Sequence, residues 1–226
     1  MPSFGKASGV PEMKSRPLLL GHRGASKYAA ENSIAAFDLA LKHGCDGFEF
    51  DVRYTRDVRC IVCHDAVYRR QRIASRTFAE LNLPDVEQVI QKYGARAFLD
   101  IELKVPGDAG PILRSLAEAQ SRNYIISSFL PEVVRSVADL ENNCPLGLIC
   151  ENPAQLRSWP ALPVRAVMVH WQLAERNLVD EIRSAGKQVF VWTVNKRKEA
   201  ERLASLGVAG IISDDTKLLG ETFKDR

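Results

Sequence analysis

Short apolar runs alternate with helical patterns along nearly the whole chain, and this alternation limits the possible folds most strongly. Five amphipathic segments have the spacing of helices: residues 33–43, 111–120, 131–140, 175–185 and 198–206. Eight short apolar runs have the composition of strands: residues 18–22, 47–53, 97–104, 123–128, 146–151, 165–170, 188–195 and 210–213. This alternation is typical of parallel strands joined by helical crossovers, and eight strands is the number that closes a (β/α)8 barrel.

The sequence of the turn after the first strand distinguishes between two possible folds, a barrel and an open doubly wound sheet. An open sheet usually carries Gly-x-Gly-x-x-Gly at that point, whereas this chain has Gly21-His22-Arg23-Gly24. We therefore predict the α/β class and a lean (β/α)8 TIM barrel, formed by one domain over residues 17–226 after a flexible tail over residues 1–16. Helix boundaries are predicted at Asn32, as the first N-cap, and at the glycine stops Gly44, Gly186 and Gly207.

The composition narrows the classes of function. A net charge of +3 over 226 residues is too small to indicate a nucleic-acid partner. No apolar run approaches the roughly 20 residues that span a bilayer, so no integral membrane segment is expected. The five cysteines are an odd number, and Cys60 and Cys63 lie in an apolar run that favours a strand over a zinc site. Since nothing in the sequence requires disulfides, we predict a cytoplasmic protein. The sequence does not indicate the oligomeric state.

One segment breaks the alternation. Residues 60–65 form a second apolar run too close to the second strand for a helix to intervene, so a small hairpin excursion is predicted there. Barrel enzymes place their chemistry in such excursions at the C-terminal ends of strands. Four arginines crowd the next stretch and form either a solvated rim or an anion-attracting mouth: Arg69, Arg70, Arg72 and Arg76.

Carboxylates occupy alternate positions in two otherwise apolar strands. Because alternate residues of a strand share a face, Glu49 and Asp51 point one way, and so do Asp100, Glu102 and Lys104. Buried carboxylates need a counter-charge, and carboxylate oxygens are the ligands of hard cations such as Mg²⁺ or Ca²⁺. The alternative is an ordinary surface face on which Glu102 and Lys104 pair. Taken together, the two strands favour a divalent cation.

Two histidines lie at predicted strand ends beside this acidic face. His22 ends the first strand and His64 ends the hairpin run, where one imidazole can accept a proton while the other donates one. Arg23 and Lys104 supply fixed positive charge for an anionic substrate, and arginine suits phosphate oxygens. The other two histidines are weaker candidates: His43 is expected to be solvated, and His170 ends the sixth strand.

Nine short motifs follow one another in a fixed order. They are His22-Arg23-Gly24, Glu31-Asn32, Glu49-Phe50-Asp51-Val52, Thr55-Arg56-Asp57, His64-Asp65, Glu102-Leu103-Lys104, Ser127-Ser128-Phe129, Val191-Trp192-Thr193-Val194-Asn195 and Gly210-Ile211-Ile212-Ser213-Asp214. This ordered set resembles the glycerophosphodiester phosphodiesterase family over residues 18–219. The resemblance implies a (β/α)8 barrel with a divalent metal at its C-terminal mouth.

The resemblance also implies roles for ten residues. It matches Glu49, Asp51 and Glu102 to metal ligands, and His22 and His64 to the acid–base pair. It matches Arg23 and Lys104 to phosphate contacts, Trp192 to the lining of the mouth, and Glu31 and Asn32 to supporting positions. The implied reaction is hydrolysis of a small glycerophosphodiester to sn-glycerol 3-phosphate and an alcohol.

Two departures from the family pattern concern the rim. Val58 stands where the family usually has glycine, so we expect that turn to close differently, and the arginine-rich stretch after Asp65 leaves the substrate range open. Three alternative functions remain. They are a phosphodiesterase of the lysophospholipase D type that meets a lipid surface through Arg69, Arg70 and Arg72, a Schiff-base enzyme that uses Lys104, and a non-catalytic barrel that binds phosphate ligands.

Overall fold

A closed barrel of eight parallel strands is the centre of the computed structural model of this chain, which describes residues 16–224. The strands, in chain order, are β1 (Leu18–Gly21), β2 (Gly47–Tyr54), β3 (Cys60–Val62), β4 (Val67–Tyr68), β5 (Gln71–Arg72), β6 (Phe98–Leu103), β7 (Tyr124–Ser128), β8 (Leu146–Cys150), β9 (Ala166–His170), β10 (Gln188–Trp192) and β11 (Gly210–Ser213). The barrel consists of β1, β2 and β6 to β11, and β1 closes it by pairing with both β2 and β11. The predicted TIM barrel is confirmed.

Helices cover the outer surface of the barrel. Within residues 16–224 they are α1 (Ile34–Lys42), α2 (Phe78–Leu81), α3 (Val86–Tyr93), α4 (Gly110–Glu118), α5 (Pro131–Leu140), α6 (Pro153–Leu156), α7 (Arg176–Ser184), α8 (Arg197–Ser205) and α9 (Thr216–Thr222). The five predicted helices agree with α1, α4, α5, α7 and α8, whereas the other four were not predicted. The glycine stops after α1, α7 and α8 have φ between 74° and 89°, a conformation that a side chain disfavours.

Two apolar layers hold these elements together. Outside the barrel, Phe48 and Phe50 of β2 point away from the interior and pack against Phe37 of α1 and Tyr93 of α3. Inside it, apolar side chains from six strands fill the space: Leu20, Ile125, Ile149, Met168, Phe190 and Ile212. Each such side chain stabilises the fold by about 1.5–3 kcal/mol through burial. Because apolar side chains fill this part of the interior, the polar side chains of Glu49, Asp51 and Glu102 cluster at the C-terminal mouth.

The predicted hairpin excursion is present after β2. Strand β3 runs antiparallel to β2, with Val52 opposite Val62 and Tyr54 opposite Cys60. In the connecting turn Val58 has φ 59°. The valine therefore adopts the left-handed conformation that glycine favours, and the turn has not closed in a way that avoids this conformation. The run ends at Val62, two residues before His64, and then gives way to the small hairpin β4–β5.

The first helix begins one residue later than predicted. Ser33 is its N-cap and accepts a hydrogen bond from the Ala36 amide, whereas Asn32 lies before the helix with φ 55°. The N-cap assignment of Asn32 is therefore wrong, because its side chain is engaged in the barrel mouth instead.

The chain before β1 was predicted as a flexible tail over residues 1–16. Residues 1–15 lie outside the described part of the structure, but Arg16 is anchored, with its guanidinium 2.6 Å from Asp46. Among the helices of residues 16–224, none combines the length and the apolarity needed to cross a bilayer.

Candidate active site

Three carboxylates meet at the C-terminal mouth of the barrel. Strands β2 and β6 pair in parallel with Asp51 beside Glu102, and the alternation of side chains turns Glu49, Asp51 and Glu102 into the interior. One ligand oxygen from each lies within 4.8 Å of the others. All three residues are 6% exposed or less. The predicted convergence of these acids is present in the structure.

Glu49 is the least compensated of the three. Burial raises its pKa well above the ordinary value, and the neighbouring carboxylates of Asp51, Glu102 and Asp100 raise it further. Its Oε2 accepts a hydrogen bond of 2.8 Å from the Arg23 amide, whereas its buried Oε1 has no hydrogen-bond partner among the described residues. A buried carboxylate oxygen without a partner is costly unless a cation compensates it.

Lys104 is the counter-charge on the other side of the cluster. Its Nζ lies 2.5 Å from Glu102 Oε1 and 3.1 Å from Asp51 Oδ1. Burial alone lowers the pKa of Lys104, but the two carboxylates outweigh it and the pKa is raised, so the ammonium is retained. For Asp51, burial alone would raise the pKa, but Lys104, Asn32 and Arg23 together lower it below the ordinary value.

The loop between β1 and α1 folds back over the acids. Arg23 Nε lies 3.4 Å from Asp51 Oδ2, and its Nη1 donates to Glu31 at 2.9 Å. Asn32 donates from Nδ2 to Asp51 Oδ2 at 2.7 Å, and its backbone amide donates to the Arg23 carbonyl. Glu31 thus contacts Arg23 and Asn32 contacts Asp51, while the supporting role expected for both residues stays a prediction.

His22 reaches the cluster from β1. Its Nε2 lies 3.9 Å from Glu49 Oε2, and its Nδ1 lies 2.7 Å from Asp214 Oδ1. Ser26 and Asn195 also donate to the Asp214 carboxylate, at 3.1 Å and 2.6 Å. Although burial raises the pKa of Asp214, the hydrogen bonds from His22 and Asn195 outweigh it and lower the pKa to about 2.

Asp214 and Asn195 are functional candidates that our sequence analysis did not single out. Both stood in the motifs of the family resemblance, but without an assigned role. The missed signal was the position of Asp214 directly after the last strand, where C-terminal strand ends of a barrel place side chains at the mouth.

His64 lies on the excursion after β3. Its Nδ1 is 2.8 Å from Asp65 Oδ1, and its carbonyl accepts a 2.7 Å hydrogen bond from Arg53 Nε. The amide of Cys63 donates to the Asp51 carbonyl, so the chain returns at the level of the acids. The two imidazoles therefore have the same arrangement. In each, Nδ1 contacts a carboxylate, Asp214 for His22 and Asp65 for His64, and Nε2 does not take part in that contact.

Aromatic side chains line the far side of the mouth. Trp192 is half-buried, its Nε1 donates to the Met168 carbonyl at 3.1 Å, and its ring meets Phe129 and His170 edge to face. The Lys104 ammonium lies 5.7 Å from the centre of the Phe129 ring. Trp192 is thus available to line a substrate pocket, whereas His170 packs beside it.

The remaining histidine lies outside this cluster. His43 was expected to be solvated, but it is partly buried, with Nδ1 2.8 Å from Thr216 Oγ1 and its ring edge to face with Tyr28. That expectation is wrong because α9 packs over the end of α1.

The acid cluster fits a divalent cation. Its donors are all carboxylate oxygens, the type that Mg²⁺ and Ca²⁺ prefer, and the buried Glu49 Oε1 has no hydrogen-bond partner among the described residues. A cation would offset both the burial and the carboxylate repulsion that raise the pKa of Glu49. The mouth as a whole combines a candidate cation site with cationic side chains that can receive an anion.

This (β/α)8 barrel, with acidic, imidazole and cationic side chains at its mouth, has the features of a barrel hydrolase for anionic substrates. The chain belongs to the glycerophosphoryl diester phosphodiesterase family, whose family model matches residues 22–106 and 88–218. A glycerophosphodiester phosphodiesterase of Caldanaerobacter subterraneus is 29% identical over 235 residues, which cover 90% of this chain and 96% of the relative. The family predicted from the ordered motifs is confirmed.

Solved structures share the fold. A glycerophosphodiester phosphodiesterase from Thermotoga maritima superimposes with a TM-score of 0.79 at 23% identity, covering 91% of this chain and 97% of the other. An Oleispira antarctica phosphodiesterase was solved in complex with the product sn-glycerol-3-phosphate. It superimposes with a TM-score of 0.78 at 22% identity, covering 93% of this chain and 98% of the other.

Proposed function

We propose that this chain hydrolyses glycerophosphodiesters to sn-glycerol 3-phosphate and an alcohol. The observation that carries the proposal is the convergence of His22, Arg23 and Lys104 on one buried acid cluster. His64 follows Cys63, whose amide donates to the Asp51 carbonyl at the same end of the barrel. The product named for the Oleispira antarctica enzyme of the same fold supports sn-glycerol 3-phosphate as the product here.

Glu49, Asp51 and Glu102 would hold a divalent cation, Mg²⁺ or Ca²⁺. When bound, such a cation supplies Lewis-acid polarisation of a phosphate oxygen and a template for the substrate. Lys104, already in contact with Asp51 and Glu102, fixes the orientation of these carboxylates. Arg23 contacts Glu31 and Asp51 beside the same cluster, which supports a role for its guanidinium in binding the phosphodiester and sharing the charge that grows on the phosphate oxygens.

The two histidines carry out the proton transfers. His22 Nδ1 is engaged by Asp214 and His64 Nδ1 by Asp65, which leaves both Nε2 atoms for the reacting oxygens. One imidazole takes the proton from the attacking oxygen, which belongs to water or to the adjacent glycerol hydroxyl, and the other donates a proton to the departing alcohol. Attack by water gives sn-glycerol 3-phosphate at once, whereas attack by the glycerol hydroxyl gives a cyclic phosphate that water then opens to the same product. The supporting carboxylates orient both rings and stabilise the imidazolium that forms on each in turn.

The experiment is the release of sn-glycerol 3-phosphate from glycerophosphocholine, glycerophosphoethanolamine and glycerophosphoglycerol, with and without a chelator. We expect turnover that the chelator abolishes and that added Mg²⁺ or Ca²⁺ restores. His22→Ala and His64→Ala should each lower kcat by on the order of 10²–10⁴. His43→Ala is the matched control, since that imidazole contacts Thr216 and lies outside the mouth, and it should retain the parental rate. Parental rates in both mouth variants would contradict the acid–base assignment.

We further propose that the protein works in the cytoplasm as a single barrel domain. All five cysteines are free thiols, which suits a reducing compartment, and the family model extends over residues 22–218. Labelling of all five thiols in unfolded protein that was isolated without reductant would support this location.

A further inference from the structure

The small hairpin β4–β5 stands beside the candidate active site. It begins three residues after His64, and the five residues from His64 to Arg69 span at most about 18 Å. Ile73 fixes its base, because its amide donates to the Ala66 carbonyl and its side chain is fully buried with Ile61. The hairpin is therefore a fixed part of the rim.

The excess positive charge of the chain is concentrated at this rim. Residues 55–76 contain six arginines and two aspartates, a net charge of +4, whereas the whole chain carries +3. Three of these arginines are paired: Arg56 and Arg76 with Glu80, and Arg59 with Asp85. Within residues 16–224, no carboxylate lies within 4.0 Å of the other three, which are the exposed Arg69, Arg70 and Arg72.

The backbone of the hairpin does not favour arginine at its tip. Arg69 and Arg70 have φ of 46° and 65°, the left-handed conformation of a two-residue turn that favours Asn-Gly. A side chain in this conformation costs roughly 1–2 kcal/mol. The Arg69 guanidinium lies over the Tyr68 ring, 5.2 Å from its centre, which restricts its motion. Strained, unpaired and oriented charges at a rim indicate a binding role.

We propose that Arg69, Arg70 and Arg72 form a binding site for an anionic group on the alcohol part of the substrate. The preferred substrates are then glycerophosphodiesters whose departing alcohol carries a phosphate or a carboxylate. This inference rests on the proposed function, since it takes the phosphodiester to lie between the two histidines. Unpaired guanidinium groups beside a cleft attract such anions and bind their oxygens in pairs.

The test compares a matched pair of substrates, glycerophosphoinositol and glycerophosphoinositol 4-phosphate. At low salt we expect kcat/KM to be about tenfold higher for the phosphorylated substrate, with the preference decreasing as salt screens the charges. The variant Arg69→Asn/Arg70→Gly/Arg72→Gln should lose this preference through KM and retain kcat on glycerophosphoinositol. Because Asn-Gly suits the turn, the variant should also unfold at a higher temperature than the parent.

The control is Arg122→Gln/Arg165→Gln. Both arginines are exposed, Arg122 two residues before β7 and Arg165 directly before β9, so they lie at the opposite, N-terminal face of the barrel. This variant removes positive charge from the chain but should retain the preference. Loss of preference in the control, or its persistence in the hairpin variant, would overturn the inference.

Two further outcomes separate this inference from the proposed function. If the hairpin variant changes only the binding of phosphatidylglycerol vesicles and not the choice of substrate, the arginines meet a lipid surface and the inference is wrong. If the parent hydrolyses neither substrate, calorimetry with glycerophosphoinositol 4-phosphate decides. Binding that the hairpin variant alone loses would support the anion site while the proposed reaction fails, and absence of binding would overturn both.

Discussion

His22 Nδ1 and Asp214 Oδ1 lie 2.7 Å apart although they are 192 positions apart in the sequence. The contact forms where the ends of β1 and β11 meet, and the His22 amide also donates to the Ser213 carbonyl. Barrel closure itself thus places a carboxylate behind this imidazole. It directs Nε2 toward the acid cluster.

Removal of the Asp214 carboxylate should therefore impair the function of His22 while the acid cluster of Glu49, Asp51 and Glu102 stays in place. We expect Asp214→Asn to lower kcat by about 10- to 1000-fold, because the ring loses its orientation and the support of its charged form. In the background of His22→Ala the same change should have little further effect, since residues that act as a unit are not additive. Steady-state kinetics of the two single variants and the double variant measure this. Independent, additive losses would show that Asp214 acts elsewhere.

Asp100 gives a pH-dependent prediction. Burial raises its pKa to about 8, although the hydrogen bond from Ser127 opposes this shift, and its Oδ2 has no hydrogen-bond partner in the described part of the chain. Because the folded form holds its proton more tightly than the unfolded form, this residue contributes most to stability below about pH 4. That contribution is lost as the pH rises toward 8.

Asp100→Asn should remove this penalty in chelator-treated protein. We expect its free energy of unfolding at pH 7.5 to exceed that of the parent by about 1–2 kcal/mol, with no gain at pH 4. Urea denaturation at several pH values measures the difference. A gain that is constant with pH, or a loss at pH 7.5, would contradict the assignment of a raised pKa to Asp100.

Lys104 should be a determinant of stability in the absence of a cation. Lys104→Met leaves the buried carboxylates of Asp51 and Glu102 without their ammonium, so we expect unfolding to become easier by about 3 kcal/mol in a chelator. Added Mg²⁺ or Ca²⁺ should recover part of this loss by binding the folded form. Denaturation with and without the cation measures both effects. The exposed pair Lys92–Asp38 provides the control, and Lys92→Met should cost about 1 kcal/mol or less.

Val58 is a site where a glycine should stabilise the protein. Its φ of 59° is strained for a β-branched side chain, which is also 59% exposed and has little packing to lose. We expect Val58→Gly to raise the free energy of unfolding by about 0.5–1 kcal/mol after the extra entropy of glycine in the unfolded chain is counted. Thermal and urea denaturation give the value. Destabilisation would show that the valine side chain makes a contact that outweighs its strain.

The parts of the site that are local in sequence were predictable, and the parts that depend on closure were not. Alternation within β2 and β6 predicted that Glu49, Asp51 and Glu102 face the same way, because side-chain period and strand pairing are local rules. The partner of His22 was missed because its contact joins the first and last strands. Asn32 was assigned to a helix cap because local cap rules give no information about Asp51, the partner that its side chain contacts.

The binding of a divalent cation by Glu49, Asp51 and Glu102 is the claim on which the proposed reaction depends. Calorimetric titration of chelator-treated protein with Mg²⁺ and with Ca²⁺ tests it directly, since it needs no substrate. We predict one site per chain for at least one of these ions, and a loss of affinity of tenfold or more in Glu49→Gln, with no loss in Glu31→Gln, whose carboxylate contacts Arg23 instead. Equal binding by the parent and Glu49→Gln, or no binding by the parent, would contradict the assigned metal site.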